Sequence, residues 1–121
     1  MNTQEVADRL VQLCREGKNV DAINELYDEH IVSREPAGTP MEITEGKEAV
    51  RDKTIQWINS VQQVHHESFS DAMVGGDFFS CVMEIDVTYK QHGRMAMTEI
   101  AVYEVKNGKI IAEQFFYRMP A

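Results

Sequence analysis

Apolar residues recur with helical spacing through the first part of the chain. Between Thr3 and Arg15, the residues Val6, Leu10, Leu13 and Cys14 fall at i, i+4, i+7 and i+8 and so share one face of a helix. Thr3 is placed to cap its start and Gly17 to end it. Asn19 then caps a second run, in which Val20, Ile23, Leu26 and Tyr27 keep the same period, so the two helices form a hairpin with a very short connection. Ile31 to Glu35 reads as a short apolar strand that ends against Pro36. Proline pushes the residue before it toward extended geometry, so Glu35 leaves the strand end with its carboxylate aimed in one direction. An acid held in that way can serve as a base.

Residues 37–45 contain Gly38 and Pro40 and read as a loop, with a brief strand near Met41 to Thr44 and the character of a lid. A third helix opens after Thr44 or Gly46. Its stripe, Val50, Lys53, Thr54, Trp57 and Val61, is apolar except where Lys53 interrupts it. The pattern then changes to β. Val64–Val74, Asp77–Lys90, Arg94–Val105 and Lys109–Arg118 are rich in β-branched, aromatic and Met residues, and Gly75-Gly76, Gln91-His92-Gly93 and Asn107-Gly108 separate them. Asn-Gly is the strongest hairpin signal of the three. Three helices followed by an antiparallel meander predict an α+β domain, with the helices laid across one face of a curved sheet.

Composition narrows the function. With 121 residues, 43% apolar and 26% charged, the chain builds one domain, residues 1–121. The net charge of −8 and the scatter of its twelve Lys and Arg argue against nucleic acid and anionic membranes as partners. No apolar run approaches the roughly 20 residues of a membrane span, and the polar start Met1-Asn2-Thr3-Gln4-Glu5 lacks signal-peptide features, so a cytoplasmic location is expected. Cys14 and Cys81 lie in apolar patterns and are expected as free thiols. His65-His66 is the one histidine cluster, but neighbouring strand residues point to opposite faces, and no HxxxH, HxH or Cys-His spacing accompanies it. No metal is therefore expected. No Gly-rich phosphate loop or Ser-His-Asp arrangement is present either, so no cofactor is expected.

The order of elements resembles the nuclear transport factor 2-like superfamily, in particular its SnoaL-like (polyketide cyclase-like) and ketosteroid isomerase-like members. The matching stretches are Leu26-Tyr27-Asp28-Glu29-His30, Arg34-Glu35-Pro36, Glu45-Gly46-Lys47-Glu48-Ala49-Val50 and Tyr103-Glu104-Val105-Lys106-Asn107-Gly108-Lys109-Ile110. The resemblance implies a cone-shaped, cystatin-like α+β roll with a pocket between helices and sheet. It also implies that Glu35 sits where ketosteroid isomerases carry their catalytic Asp, likewise followed by proline. The oxyanion-hole Tyr and Asp of those enzymes align here with Leu10 and Ala101, which have no hydrogen bond to offer an enolate, so ketosteroid isomerisation itself is not implied.

That alignment turns Met97, Glu99, Ala101 and Tyr103 inward. If Lys90 pairs with Gly93, then Val82, Glu84, Asp86 and Thr88 share the inner face; a β-bulge at the turn would put Met83, Ile85 and Val87 there instead. The first register gathers Glu35, Lys53, Asp86 and Glu99 as acid/base residues, with Glu113 beside them. Trp57, Met97, Ala101, Tyr103, Phe115 and Tyr117 then contact the ligand. It also leaves an apolar outer sheet face, for which a second subunit is the economical cover. Lys53 has the alternative of snorkelling to water. Met73, Met83, Met95, Met97 and Met119 read as adaptable filling, or as the wall of a hydrophobic site. The expected function is small-molecule binding in the cone, with cofactor-free isomerisation, cyclisation or dehydration if the protein is catalytic. The alternative is a non-catalytic ligand-binding or protein-interaction module.

Overall fold

A computed structural model of the chain describes residues 1–118. Helix α1, Thr3–Arg15, is capped by Asn2 rather than Thr3: Asn2 accepts from the Glu5 backbone while the Glu5 carboxylate accepts from the Asn2 backbone, a reciprocal capping box. Helix α2, Asn19–Leu26, stops one residue earlier than the apolar period suggests. Tyr27 instead opens strand β1, Tyr27–Arg34, which is longer than the strand read from Ile31 onward. Strand β2, Ile43–Glu45, folds back on β1, and the intervening loop is closed by the Glu35 amide donating to Glu42 O at 2.8 Å. Gly46, at φ 93, then turns the chain into helix α3, Lys47–Ser60, a conformation that glycine adopts without a Cβ penalty.

The remaining strands are β3, Val61–Phe69; β4, Met73–Gly75; β5, Phe78–Tyr89; β6, Gly93–Lys106; and β7, Lys109–Phe116. The stretch read as one strand from Val64 to Val74 is thus two. The sheet runs β2-β1-β7-β6-β5-β3, with β4 on β5, and every pairing is antiparallel except β1 with β7. This parallel join makes the sheet mixed rather than a pure meander. The fold is an α+β roll, with the helices on one face of a curved sheet.

The register of β5 against β6 corrects an expectation. Tyr89, not Lys90, pairs with Gly93, whose φ of 75 helps reverse the chain after the three loop residues 90–92. Met83 therefore lies opposite Glu99 and Ile85 opposite Met97. A one-residue slip exchanges the two faces, so the apolar odd-numbered side of β5 packs inward and Glu84 and Asp86 point away. Burial of apolar surface decides the register.

The core lies under α1 and α2. Val6, Leu10, Leu26, Ile31, Phe79, Ala101, Tyr103 and Ile110 are all buried there, and Phe79 stacks on Tyr103 with ring centroids 4.7 Å apart. Cys14 and Cys81 are free thiols, raised by burial to about 12 and about 11 and therefore unreactive near neutrality. No helix among the described residues is long and apolar enough to cross a membrane.

Candidate acid/base site

Helix α3 buries only Val50 completely. Lys53, Thr54 and Trp57 are half-buried along the same stripe, while Ile55 and Ile58 are exposed, so the far half of the helix covers the sheet loosely. Beneath it the inner sheet face changes character. The buried residues of the core give way to half-buried Met95, Met97, Glu99, Phe115 and Tyr117. Trp57 Nε1 spans to the hydroxyl of Tyr89 at 3.1 Å and ties α3 to β5.

Glu35 enters this region from the end of β1, and Lys53 enters from above. Lys53 Nζ lies 3.5 Å from Glu35 Oε1, with the two side chains 15% and 18% exposed, which leaves the pair screened yet reachable from solvent. The ammonium makes its shorter bond to Ser33 Oγ, at 2.8 Å, and sits 5.8 Å from the centre of the Phe115 ring. Oε2 of Glu35 is buried and makes no hydrogen bond among the described residues.

Two further acids face the same space. Burial, and then the negative charge of Glu35, push Glu99 up to about 7. Glu113 is fully enclosed and burial pushes it, too, up to about 7; the Tyr27 phenol, the Lys53 charge and the Ser33 hydroxyl pull it down, and Glu35 pushes it up. Tyr27 donates to both Glu113 oxygens, at 2.8 and 3.2 Å. Tyr117, just past β7, has its phenol raised first by burial and then by the charge of Glu35. At neutral pH the site therefore holds one ammonium and three carboxyl groups, two of them near their midpoints.

Of the residues expected here, Glu35, Lys53, Glu99, Trp57, Met97, Phe115 and Tyr117 do share the inner face around α3. Asp86 does not. It lies on the outer face in a two-pronged pair with Arg94, at 3.0 and 2.9 Å, and that guanidinium holds its carboxyl below the usual range. Ala101 and Tyr103 face inward but are packed into the core, leaving a ligand no surface to touch. A bulge in β3 turns both histidines outward: His65 contacts Thr88 Oγ1 at 2.6 Å and His66 contacts Glu84 at 3.5 Å. Met119 lies outside the described residues. Tyr27 and Ser33 were hidden from sequence reasoning, the first inside a helical period and the second inside an apolar strand. An open groove elsewhere, lined by Gln4, Asp8, Arg15 and Asp71, is charged, and its Arg15 is already committed to Phe69 O and Asp71.

A curved α+β sheet with three covering helices and acids on its inner face defines the cystatin-like, nuclear transport factor 2-like class of folds. The chain belongs to the SnoaL-like domain family, whose model matches residues 1–117. A protein of Mesorhizobium loti described as a SnoaL-like polyketide cyclase is 38% identical, with a TM-score of 0.89 over 97% of this chain and all of that one. At 14% identity, a Xanthomonas campestris protein of unknown function with a cystatin-like fold has a TM-score of 0.80, covering 97% of this chain and 91% of its own. A Catenulispora acidiphila protein with a ketosteroid isomerase-like fold, solved with trimethylamine, is 16% identical with a TM-score of 0.74, covering 96% and 87%. No curated protein matches the chain.

Proposed function

We propose that this protein binds a hydrophobic small molecule between α3 and the sheet and catalyses cofactor-free acid/base chemistry on it, as an isomerase, cyclase or dehydratase. The observation that carries the reading is the convergence of Glu35, Lys53 and Glu99 beside Trp57, Phe115, Met97 and Tyr117. Glu35 accepts a proton from a carbon next to a carbonyl. Lys53 compensates the charge of Glu35 and orients it. Glu99, poised near neutrality, returns a proton to the substrate, at another carbon in an isomerisation or at a departing hydroxyl in a dehydration. The Mesorhizobium loti relative, described as a SnoaL-like polyketide cyclase, supports the cyclase member of this set.

The test uses 5-nitrobenzisoxazole, a neutral aromatic carbon acid whose ring opens when a base removes its proton. The protein should open it faster than free acetate does, and Glu35→Gln should lose that advantage while keeping its fold. A Glu35→Gln variant as fast as the parent would end the proposal, and a parent no faster than acetate would favour the non-catalytic binding module.

A second copy of the chain is proposed to cover the outer sheet face. Val82, Ile100 and Phe116 are directly paired across β5, β6 and β7 there, and each is between two-fifths and half exposed. This row is different from the apolar face expected on the sequence register, Met83, Ile85 and Val87, which faces inward.

A further inference from the structure

The chemistry assigned to Glu35 creates a negative charge that the site has to hold. When a base takes a proton from a carbon beside a carbonyl, the electron pair moves onto the oxygen, and a hydrogen-bond donor fixed there is usually the largest single source of rate. Lys53 is already engaged by Ser33 and Glu35, at 2.8 and 3.5 Å. The donor has to come from elsewhere.

The bond between Trp57 and Tyr89 supplies one. An indole can only donate, so in this 3.1 Å contact the Tyr89 oxygen is the acceptor. The phenol keeps its own proton, and among the described residues nothing accepts it. Donation from the indole also polarises the phenol O–H and strengthens it as a donor. Tyr89 is half-buried on the inward, odd-numbered side of β5, with Val61 opposite it on β3 and Gly93 opposite it on β6. The next residue, Lys90, donates its amide to Ser60 O at 2.9 Å and pins the strand end to the end of α3. The hydroxyl is thus held before any ligand arrives, as a charge-stabilising group must be.

Its place in the site fits that role. Trp57 follows Lys53 by one turn along the same stripe of α3, a rise of about 6 Å. The Glu35–Lys53 pair meets one turn of the helix and the Tyr89 hydroxyl meets the next, with Met97 and Tyr117 half-buried on the sheet below. A flat molecule of one or two rings spans that interval, its acidic C–H at one end and its oxygen at the other.

We propose that Tyr89 is a catalytic residue of this site, whose hydroxyl donates to the substrate oxygen on which charge collects as Glu35 removes the proton. This rests on the reading of Glu35 as the base. With 5-nitrobenzisoxazole, the carboxylate takes the ring C–H proton, the C–H electron pair completes a nitrile, and the N–O bond breaks. Its pair leaves on the oxygen as a phenolate, which accepts from Tyr89.

The experiment breaks the Trp57–Tyr89 bond from either side. If Tyr89 only ties α3 to the sheet, Tyr89→Phe and Trp57→Phe slow the ring opening equally. As a donor, Tyr89→Phe should lower kcat for 5-nitrobenzisoxazole roughly tenfold, and lower it further for unsubstituted benzisoxazole, whose more basic leaving oxygen depends more on the bond. Trp57→Phe should slow both substrates by nearly the same factor. Equal losses in the two variants, or a Tyr89→Phe loss that does not grow with the basicity of the leaving oxygen, overturns the proposal. A second measurement needs no turnover. The cyanonitrophenolate product should absorb at shorter wavelength when bound to the wild type than when bound to Tyr89→Phe, because a hydrogen bond to its oxygen holds the charge there. Coincident bands overturn the donor role, and so does a product that does not bind the wild type. Coincident bands with an inactive Glu35→Gln remove Tyr89 from the chemistry and leave the base standing. A fully active Glu35→Gln removes the base, and Tyr89 is then decided by the absorption band alone.

Discussion

The indole of Trp57 donates to the hydroxyl of Tyr89 at 3.1 Å and, with the Lys90 amide donating to Ser60 O at 2.9 Å, joins the loosely packed half of α3 to the sheet. Trp57 is the only tryptophan in the chain, so it reports on this junction without interference. Tyr89→Phe should redden its emission as water reaches the indole, at a cost in stability of about 1 kcal/mol. A ligand bound below α3 should quench or shift the same signal. Unchanged emission in Tyr89→Phe would mean that the contact does not persist in solution.

Glu113 makes stability depend on pH in a direction opposite to that of a salt-bridged acid. Its carboxyl is raised from an ordinary 4.5 to about 7, so the folded chain keeps a proton that the unfolded chain releases between those values. Stability contributed by the neutral acid is therefore full below pH about 4.5, declines as pH rises, and is gone above about 7, a loss of roughly 3 kcal/mol. Glu113→Gln carries no such group. Urea unfolding at pH 5 and pH 8 should show the wild type losing ground to the variant across that interval; parallel profiles would count against the raised value.

Asp86→Asn and Glu99→Gln should behave differently, although the sequence nominates both acids. Asp86 is on the outer face with Arg94, so its replacement should leave 5-nitrobenzisoxazole opening unchanged. Glu99 shares the inner face with Glu35, and its replacement should remove a titration near pH 7 from the rate profile. Equal effects from both substitutions would contradict the β5–β6 register as well as the assignment.

Ile100 is the centre of the outer apolar row, flanked by Val82 and Phe116. Ile100→Lys should convert a dimer to a monomer in analytical ultracentrifugation while the circular dichroism spectrum stays the same. A wild-type protein that sediments as a monomer at micromolar concentration would remove the second copy from the proposal.

Much of the fold was legible because it rests on local signals. The periods through α1 and α3 reflect burial on one side of a helix, and Asn107-Gly108 marks its hairpin by backbone conformation alone. The site was legible only where one element carries its own evidence, as with the Glu35-Pro36 step and the Lys53 interruption. Asp86 was misplaced because the face of a strand depends on a single residue of loop length, which the Gln91-His92-Gly93 turn does not encode. The two histidines were misread because the bulge in β3 breaks strict alternation. Tyr27 and Glu113 are 86 positions apart, and no local pattern announces a hydrogen bond over that distance.

The parallel pairing of β1 with β7 has a consequence for the protein's synthesis. Glu35 and Lys53 belong to the first half of the sequence, Glu99 and Glu113 to the second, and β7, which unites them, leaves the ribosome after every other described strand. Contacts between distant segments form slowly because the loop between them must first be closed. A nascent chain halted before residue 109 would carry Glu35 and Lys53 fully translated but without the buried Glu113 beside them, so these groups come together only once β7 is made.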